Sequence, residues 1–165
     1  MEKEDLPNWV EWVNKPEFTG RYQPLIQISR TQSEKILESP LEPKPFFIEK
    51  KDGNKVGIIV HFNVLHTAGK QLEIGYSLVP EERGKGYATE AVNIMVDFLF
   101  LSKENVRIQA QTDTRNVASQ RVLEKTGFTK EGILRKSYFM RGEWVDALIW
   151  SILREEWKEP RILIR

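Results

Sequence analysis

The chain contains no cysteine and only two histidines, His61 and His66. Without a thiol there is no disulfide, no zinc–thiolate centre and no cysteine nucleophile. Charge of one sign is not in excess either: 25 Lys and Arg against 24 Asp and Glu leave +1 over 165 residues. That balance argues against a dedicated nucleic-acid binder, which is usually strongly basic. Long apolar runs are also lacking. The longest, such as Val56 to Val60 and Phe98 to Leu101, fall far short of the ~20 residues of a bilayer span. The N-terminal MEKEDLP is charged, with no apolar signal segment behind it, so a soluble, cytoplasmic protein without membrane contact is expected. No internal repeat or low-complexity segment occurs, and the length fits one domain, 1–165, with a full core.

What the chain does have is concentrated in Leu78 to Ala91, LVPEERGKGYATEA. An apolar alternating run ends there, passes Pro80, Glu81 and Glu82, tightens through Arg83-Gly84-Lys85-Gly86 and opens into a helix. Two glycines one residue apart permit φ > 0 and close ligand approach, so successive N–H groups can point into one concavity. The first helical N–H groups lack internal partners and carry roughly half a positive charge. A phosphate or pyrophosphate suits such a place. No Walker string is present, and the third glycine of a dinucleotide fingerprint is replaced by Thr89. The string that does fit is Arg/Gln-x-x-Gly-x-Gly/Ala, filled by Arg83, Gly86 and Ala88. It resembles the acetyl-coenzyme A pyrophosphate loop of the GNAT superfamily of N-acetyltransferases.

The rest of the chain reads as mixed α/β. Asp5 is expected to cap a helix from Leu6 to Val13, with Pro7 at its tolerant first turn and Trp9, Trp12 and Val13 on a core or groove face. Glu17 to Arg30 reads as a loop long enough to be functional. Thr31-Gln32-Ser33-Glu34 reads as a capping box opening a helix that Pro40 stops, followed by a proline-rich connection, Leu41 to Pro45. Phe46 to Lys51 and Lys55 to Asn63 form a hairpin around Asp52-Gly53-Asn54, Asn63 to Lys70 is a turn region, and Gln71 to Val79 is the strand that delivers the glycine loop. A helix follows to about Leu101, with Ala91, Val92, Met95, Phe98 and Leu99 on one face. Then come a strand, Val106 to Thr112, and a helix, Asn116 to Lys125, with Val117, Ser119, Val122 and Leu123 inward or ligand-facing and Gly127 as its C-terminal cap. Three strands close the chain: Phe128 to Leu134, Ser137 to Arg141 and Trp144 to Leu153.

A second motif strengthens the resemblance. Asn116-x-x-Ser119-x-x-x-Leu123-Glu124-Lys125-x-Gly127-Phe128 is similar to the other coenzyme A-contacting segment of GNAT enzymes. Glu131-Gly132, Arg135, Gly142, Trp144 and Asp146 resemble the branch that acetylates ribosomal-protein N-termini, together with its relatives acting on small amines. The resemblance covers residues 5–157. It implies a GNAT fold, with a mainly antiparallel sheet flanked by helices, and acetyl-coenzyme A as cosubstrate. Two departures stand out. The family's usual first strand is expected to be missing, and residues 158–165 are expected to form a tail or an edge-covering segment. The helix tyrosine that many members use as general acid is replaced by Leu123.

The resemblance also implies roles. Gly84, Lys85, Gly86, Tyr87 and Ala88, with Arg83, would hold the pyrophosphate. Backbone groups at Leu78 and Val79 would hold the pantetheine arm and polarise the thioester carbonyl. Asn116 would bond the cofactor, or simply cap its helix. Ser119 would stand near the sulfur, or bond back to a helix carbonyl. Glu73 is the candidate general base and Tyr138 an acid, an amine-orienting hydroxyl or a packed aromatic; both histidines read as structural or exposed. No metal is implied.

The expected reaction is direct acetyl transfer to a primary amine in a ternary complex, with a protein N-terminus as the leading acceptor. A polyamine or aminoglycoside is the competing acceptor, and a non-catalytic acyl-coenzyme A sensor is the competing class. A polyamine site would place several carboxylates at the thioester. A peptide site would place a cleft between the Glu17 to Arg30 loop and the Ser137 to Trp144 hairpin. A homodimer is a further expectation, because an open edge strand invites pairing.

Overall fold

Gly57 brings two central strands close together. A Cβ at this position would stand 2.3 Å from the Ser77 carbonyl oxygen, so only glycine fits. The computed structural model describes residues 2–38, 45–64, 71–158 and 160. Its sheet has six strands: β1 (Phe46–Glu49), β2 (Lys55–Asn63), β3 (Gln71–Leu78), β4 (Arg107–Asp113), β5 (Thr129–Met140) and β6 (Glu143–Leu153). Their spatial order is β1-β2-β3-β4-β6-β5. Only β3 and β4 run parallel.

Period-two alternation divides the sheet between two layers. Leu72 and Ile74 of β3, Ile108 and Ala110 of β4, and Leu148, Trp150 and Ile152 of β6 join one core cluster. Against them pack α4 (Tyr87–Ser102), through Val92, Met95, Val96, Leu99 and Phe100, and α5 (Val117–Lys125), through Leu123. The opposite face near β1 and β2 carries α1 (Leu6–Val13), whose Trp12 lies against Phe47 and Phe18. It is joined by α2 (Pro16–Thr19) and α3 (Arg30–Glu38).

Several local expectations are corrected. Asp5 makes no cap bond for α1; its carboxylate accepts from the Glu2 amide at 2.6 Å and from the Lys55 ammonium. A helical turn, α2, stands in the expected Glu17 to Arg30 loop. The capping pair of α3 sits two residues upstream: Ser29 Oγ accepts from the Gln32 amide at 3.2 Å, while the Ser29 amide donates to Gln32 Oε1 at 2.8 Å. Glu34 instead pairs with Arg30 at 3.0 Å. Phe98 leaves the buried face of α4 and meets Phe46 edge-on, and Val117 is exposed. The two strands expected over 128–141 are one, β5, irregular between Leu134 and Tyr138, where Lys136 takes φ +47°. Residues 39–44, 65–70, 159 and 161–165 lie outside the described residues, and with them Pro40, His66, most of two connections and the apolar end of the tail.

The decisive feature is a split in the sheet. β3 pairs with β4 only from Gln71 to Glu73. Yet β3 continues along β2 to Leu78, and β4 continues along β6 to Asp113. Past Glu73 the two strands part, leaving a wedge directly beneath the glycine loop.

Candidate active site

The loop follows from its backbone. Pro80–Glu82 form a 3-10 turn, Gly84 and Gly86 take φ of +77° and +93°, and Gly86 is the N-cap of α4. A Cβ on either glycine would meet nothing within 4 Å. The positive φ demands glycine there, and the space above stays open to a ligand. Around it lies a cleft of about 700 Å³, floored by Tyr76 to Leu78 and walled by residues 18–23 on one side and α5 on the other.

The charges divide between holding the loop and facing the cleft. Arg83 Nε donates to the Leu78 carbonyl at 3.1 Å, and its Nη2 to those of Glu17 and Phe18 at 2.6 and 3.0 Å. Arg83 therefore ties α2 to the glycine turn while still lining the cleft. Lys85 is turned to Glu82 at 3.1 Å, and that ion pair is the first cause that holds the Glu82 carboxyl below its ordinary range. Neither Lys85 nor Tyr87 lines the cleft, whereas Gly84, Gly86 and Ala88 do. Arg121, not singled out in the sequence, also faces it, as does Lys125 of the second motif. Their signal was present: Ala118, Arg121, Val122 and Lys125 recur at three and four along α5.

The expectation for Val79 needs correcting. Its N–H donates to the Val56 carbonyl at 2.9 Å, inside the sheet. In an antiparallel ladder successive residues point their amides to opposite edges. It is therefore the Leu78 amide that faces the wedge.

A second, smaller cavity of about 80 Å³ lies deeper in the wedge and shares Tyr22, Gln23, Tyr76, Asn116 and Ser119 with the cleft. Asn116 caps α5, its Oδ1 accepting from the Ser119 amide at 3.2 Å, and it lines both spaces. The Ser119 hydroxyl lies 2.8 Å from the Tyr76 hydroxyl. Burial pushes the Tyr76 phenol up to about 12, against the opposing hydrogen bond to Ser119. Tyr76 was not singled out in the sequence, although the alternation of β3 marks it as inward-facing. Leu123 is fully buried in the core below α5. Leu123 lines neither space.

Tyr138 and Asp113 line the small cavity. Burial, followed by the charges of Asp113 and Glu73, raises the Tyr138 phenol. Asp113 is gripped by Arg115, Nε to Oδ1 at 2.9 Å and Nη2 to Oδ2 at 2.7 Å, and Arg115 also reaches Glu143 at 2.7 Å. The bonds from Arg115 hold the Asp113 carboxyl below the ordinary carboxylate range. Glu73 sits at the last paired rung, where Gln109 and Gln111 donate to its Oε2 at 2.7 and 3.2 Å. It lines neither space. His61, beside Phe46 on β2, is remote from the site. Arg141 Nη2 donates to the Gly20 carbonyl at 2.6 Å, so the β5–β6 turn meets the loop that bounds the cleft.

A strand split beneath a glycine turn thus opens from a cleft to a half-buried hydroxyl pair. Residues 1–129 match the model of the acetyltransferase (GNAT) domain. The chain belongs to this family. An uncharacterized N-acetyltransferase, p20, of Bacillus licheniformis is 31% identical over 163 residues, covering 95% of this chain and 92% of that protein. The spermidine N(1)-acetyltransferase of Escherichia coli K12 is 24% identical over 164 residues, 95% of this chain and 85% of that one. Among solved structures, Mycobacterium smegmatis RimJ in complex with CoA-disulfide superposes with a TM-score of 0.81 at 27% identity, covering 97% of this chain and 82% of that one. This GNAT domain is an N-acetyltransferase, and acetyl-coenzyme A is its cosubstrate. The cleft fits that molecule: an open glycine cradle, cationic Arg21, Arg121 and Lys125, and a passage to the wedge.

Proposed function

We propose that the chain transfers the acetyl group of acetyl-coenzyme A to the α-amine of a polypeptide N-terminus. One observation carries the reading. Among the described residues that line the cleft and the small cavity, Asp113 is the sole carboxylate, and Arg115 neutralises it. A polyamine presents several ammonium groups and needs unpaired carboxylates to bind them. An α-amine, with an ordinary pKa of roughly 7.7–8.0, is partly neutral near pH 7.5 and can react without a strong dedicated base.

The residues divide the work as follows. Gly84, Gly86 and the first turn of α4 receive the pyrophosphate, with Arg121 and Lys125 beside it. The Leu78 amide, aimed into the wedge, stabilises the carbonyl oxygen as negative charge develops on it. Asn116 fixes α5 and borders the pantetheine arm. Tyr138 orients the incoming amine across the small cavity. Ser119 donates a proton to the leaving thiolate. Glu73, outside both spaces, sets the potential at the closed end of the wedge rather than taking the proton itself.

The test is thiol release from acetyl-coenzyme A with N-terminal peptides, spermidine and an aminoglycoside as acceptors. Turnover with peptides at least tenfold above spermidine in kcat/KM is the expected result. A preference for spermidine overturns the peptide reading, and cofactor binding without turnover on any amine favours a sensor.

A further inference from the structure

We propose that Tyr76 and Ser119 form a two-hydroxyl proton relay that replaces the helix tyrosine absent from this chain. The relay would carry a proton from the amine side of the wedge to the leaving sulfur. The inference rests on the placement of Ser119 beside the sulfur. Otherwise it is independent of which amine is the substrate.

Three observations converge. The two hydroxyls are 2.8 Å apart, within hydrogen-bond range, and either oxygen can donate. Both residues line the cofactor cleft and the small cavity, so the pair stands where the two spaces meet. The position that supplies an acid in many relatives is occupied by Leu123, fully buried in the core. The chemistry of the pair agrees with its position. Tyr76, its phenol raised by burial, stays protonated at neutral pH and serves as a donor rather than a base.

The step balances within the ternary complex. The amine nitrogen bonds to the thioester carbon, giving a tetrahedral centre with a positively charged nitrogen. As the carbon–sulfur bond breaks, sulfur takes the Ser119 proton, Ser119 takes the Tyr76 proton, and Tyr76 takes one from the acylated nitrogen. The products are the amide and the free thiol, and both hydroxyls are restored. No standing phenolate forms, as burial requires.

Tyr76 gives its proton to Ser119 and receives one from the nitrogen, and because it is also packed in the wedge its test needs readouts that packing alone does not move. Tyr76→Phe keeps the ring in place. With any acceptor that turns over, Tyr76→Phe and Ser119→Ala are each expected to lower kcat by about 10–100-fold, the low end of general acid catalysis, with KM for acetyl-coenzyme A unchanged. The double variant should be no slower than the worse single one, because both remove one relay. Independently of any amine, the thiol of bound coenzyme A is titrated by its thiolate absorbance. Its pKa should rise in both variants, since each weakens hydrogen bonding to the thiolate. A kcat within about twofold of wild type in Tyr76→Phe, losses that multiply in the double variant, or an unmoved thiol pKa would each overturn the relay. Turnover with spermidine but not peptides sinks the N-terminal reading alone.

Discussion

Arg115 lies two residues from Asp113 and grips both its carboxylate oxygens, at 2.9 and 2.7 Å. The single acid of the inner cavity thereby becomes a neutral pair. Arg115→Ala exposes that charge to the incoming amine. The ratio of kcat/KM for spermidine over peptide should rise about tenfold, the scale of one unscreened charge a few ångströms away. The thermal midpoint should fall as well, because a buried carboxylate loses its partner. An unchanged ratio alongside a lowered midpoint would confine the pair to a structural role.

Arg83 and Lys85 flank the same glycine and behave differently. Arg83 holds three main-chain carbonyls, whereas Lys85 faces Glu82 at the surface. Arg83→Ala should raise KM for acetyl-coenzyme A about tenfold through a loosened loop, the equivalent of one charge-assisted hydrogen bond. Lys85→Ala should change it less than about twofold, as expected of an exposed ion pair. Steady-state kinetics at one ionic strength separates the two.

Stability should depend on acid through Glu131. The bonds from Arg107, then Ser151, hold its carboxyl down to about 2. The folded value lies below the unfolded one, so the stabilisation is present above the unfolded pKa of roughly 4.3 and is lost as pH falls toward 2. Thermal midpoints of wild type should drop across that window, and Glu131→Gln should lower the plateau and flatten the drop. Parallel curves for the two proteins would assign acid lability elsewhere.

The pH dependence of catalysis carries the sign of the acceptor. With a peptide α-amine, kcat/KM should climb with pH through a midpoint of roughly 7.7–8.0 and level off about one unit higher, following the free amine. Glu73→Gln should reduce the plateau by less than about tenfold and leave the midpoint in place. A midpoint that moves with Glu73 would make it the base.

Much of this was legible in the chain. Strand, glycine turn and helix from Leu78 to Ala91 announce themselves because every signal there is local: alternation, two glycines, then apolar residues at three and four. The bounds of α1 fell out of Pro7 and Lys15-Pro16 for the same reason. What sequence could not supply was contact at long separation and strand register. The Val79 amide reads as available until its pairing with Val56 is known. Arg83 reads as a phosphate ligand until Glu17 and Phe18, more than sixty positions away, present their carbonyls. Tyr76 is visibly inward, but its partner lies 43 positions on. The interruption at Arg135-Lys136 showed in the sequence as a break between two strands; what stayed hidden is that pairing with the same neighbour, β6, resumes at Tyr138, past the positive φ of Lys136.

Residues 17–23 meet two arginines from distant parts of the chain, and both engage only carbonyl oxygens: Arg83 those of Glu17 and Phe18, Arg141 those of Gly20 and Gln23. A wall anchored by its peptide groups keeps its position when side chains that make no bond to the scaffold are changed. Tyr22, which lines both the cleft and the small cavity, is thus free to diversify without disturbing the scaffold. Randomising this position is the natural route to retargeting this enzyme toward new amines.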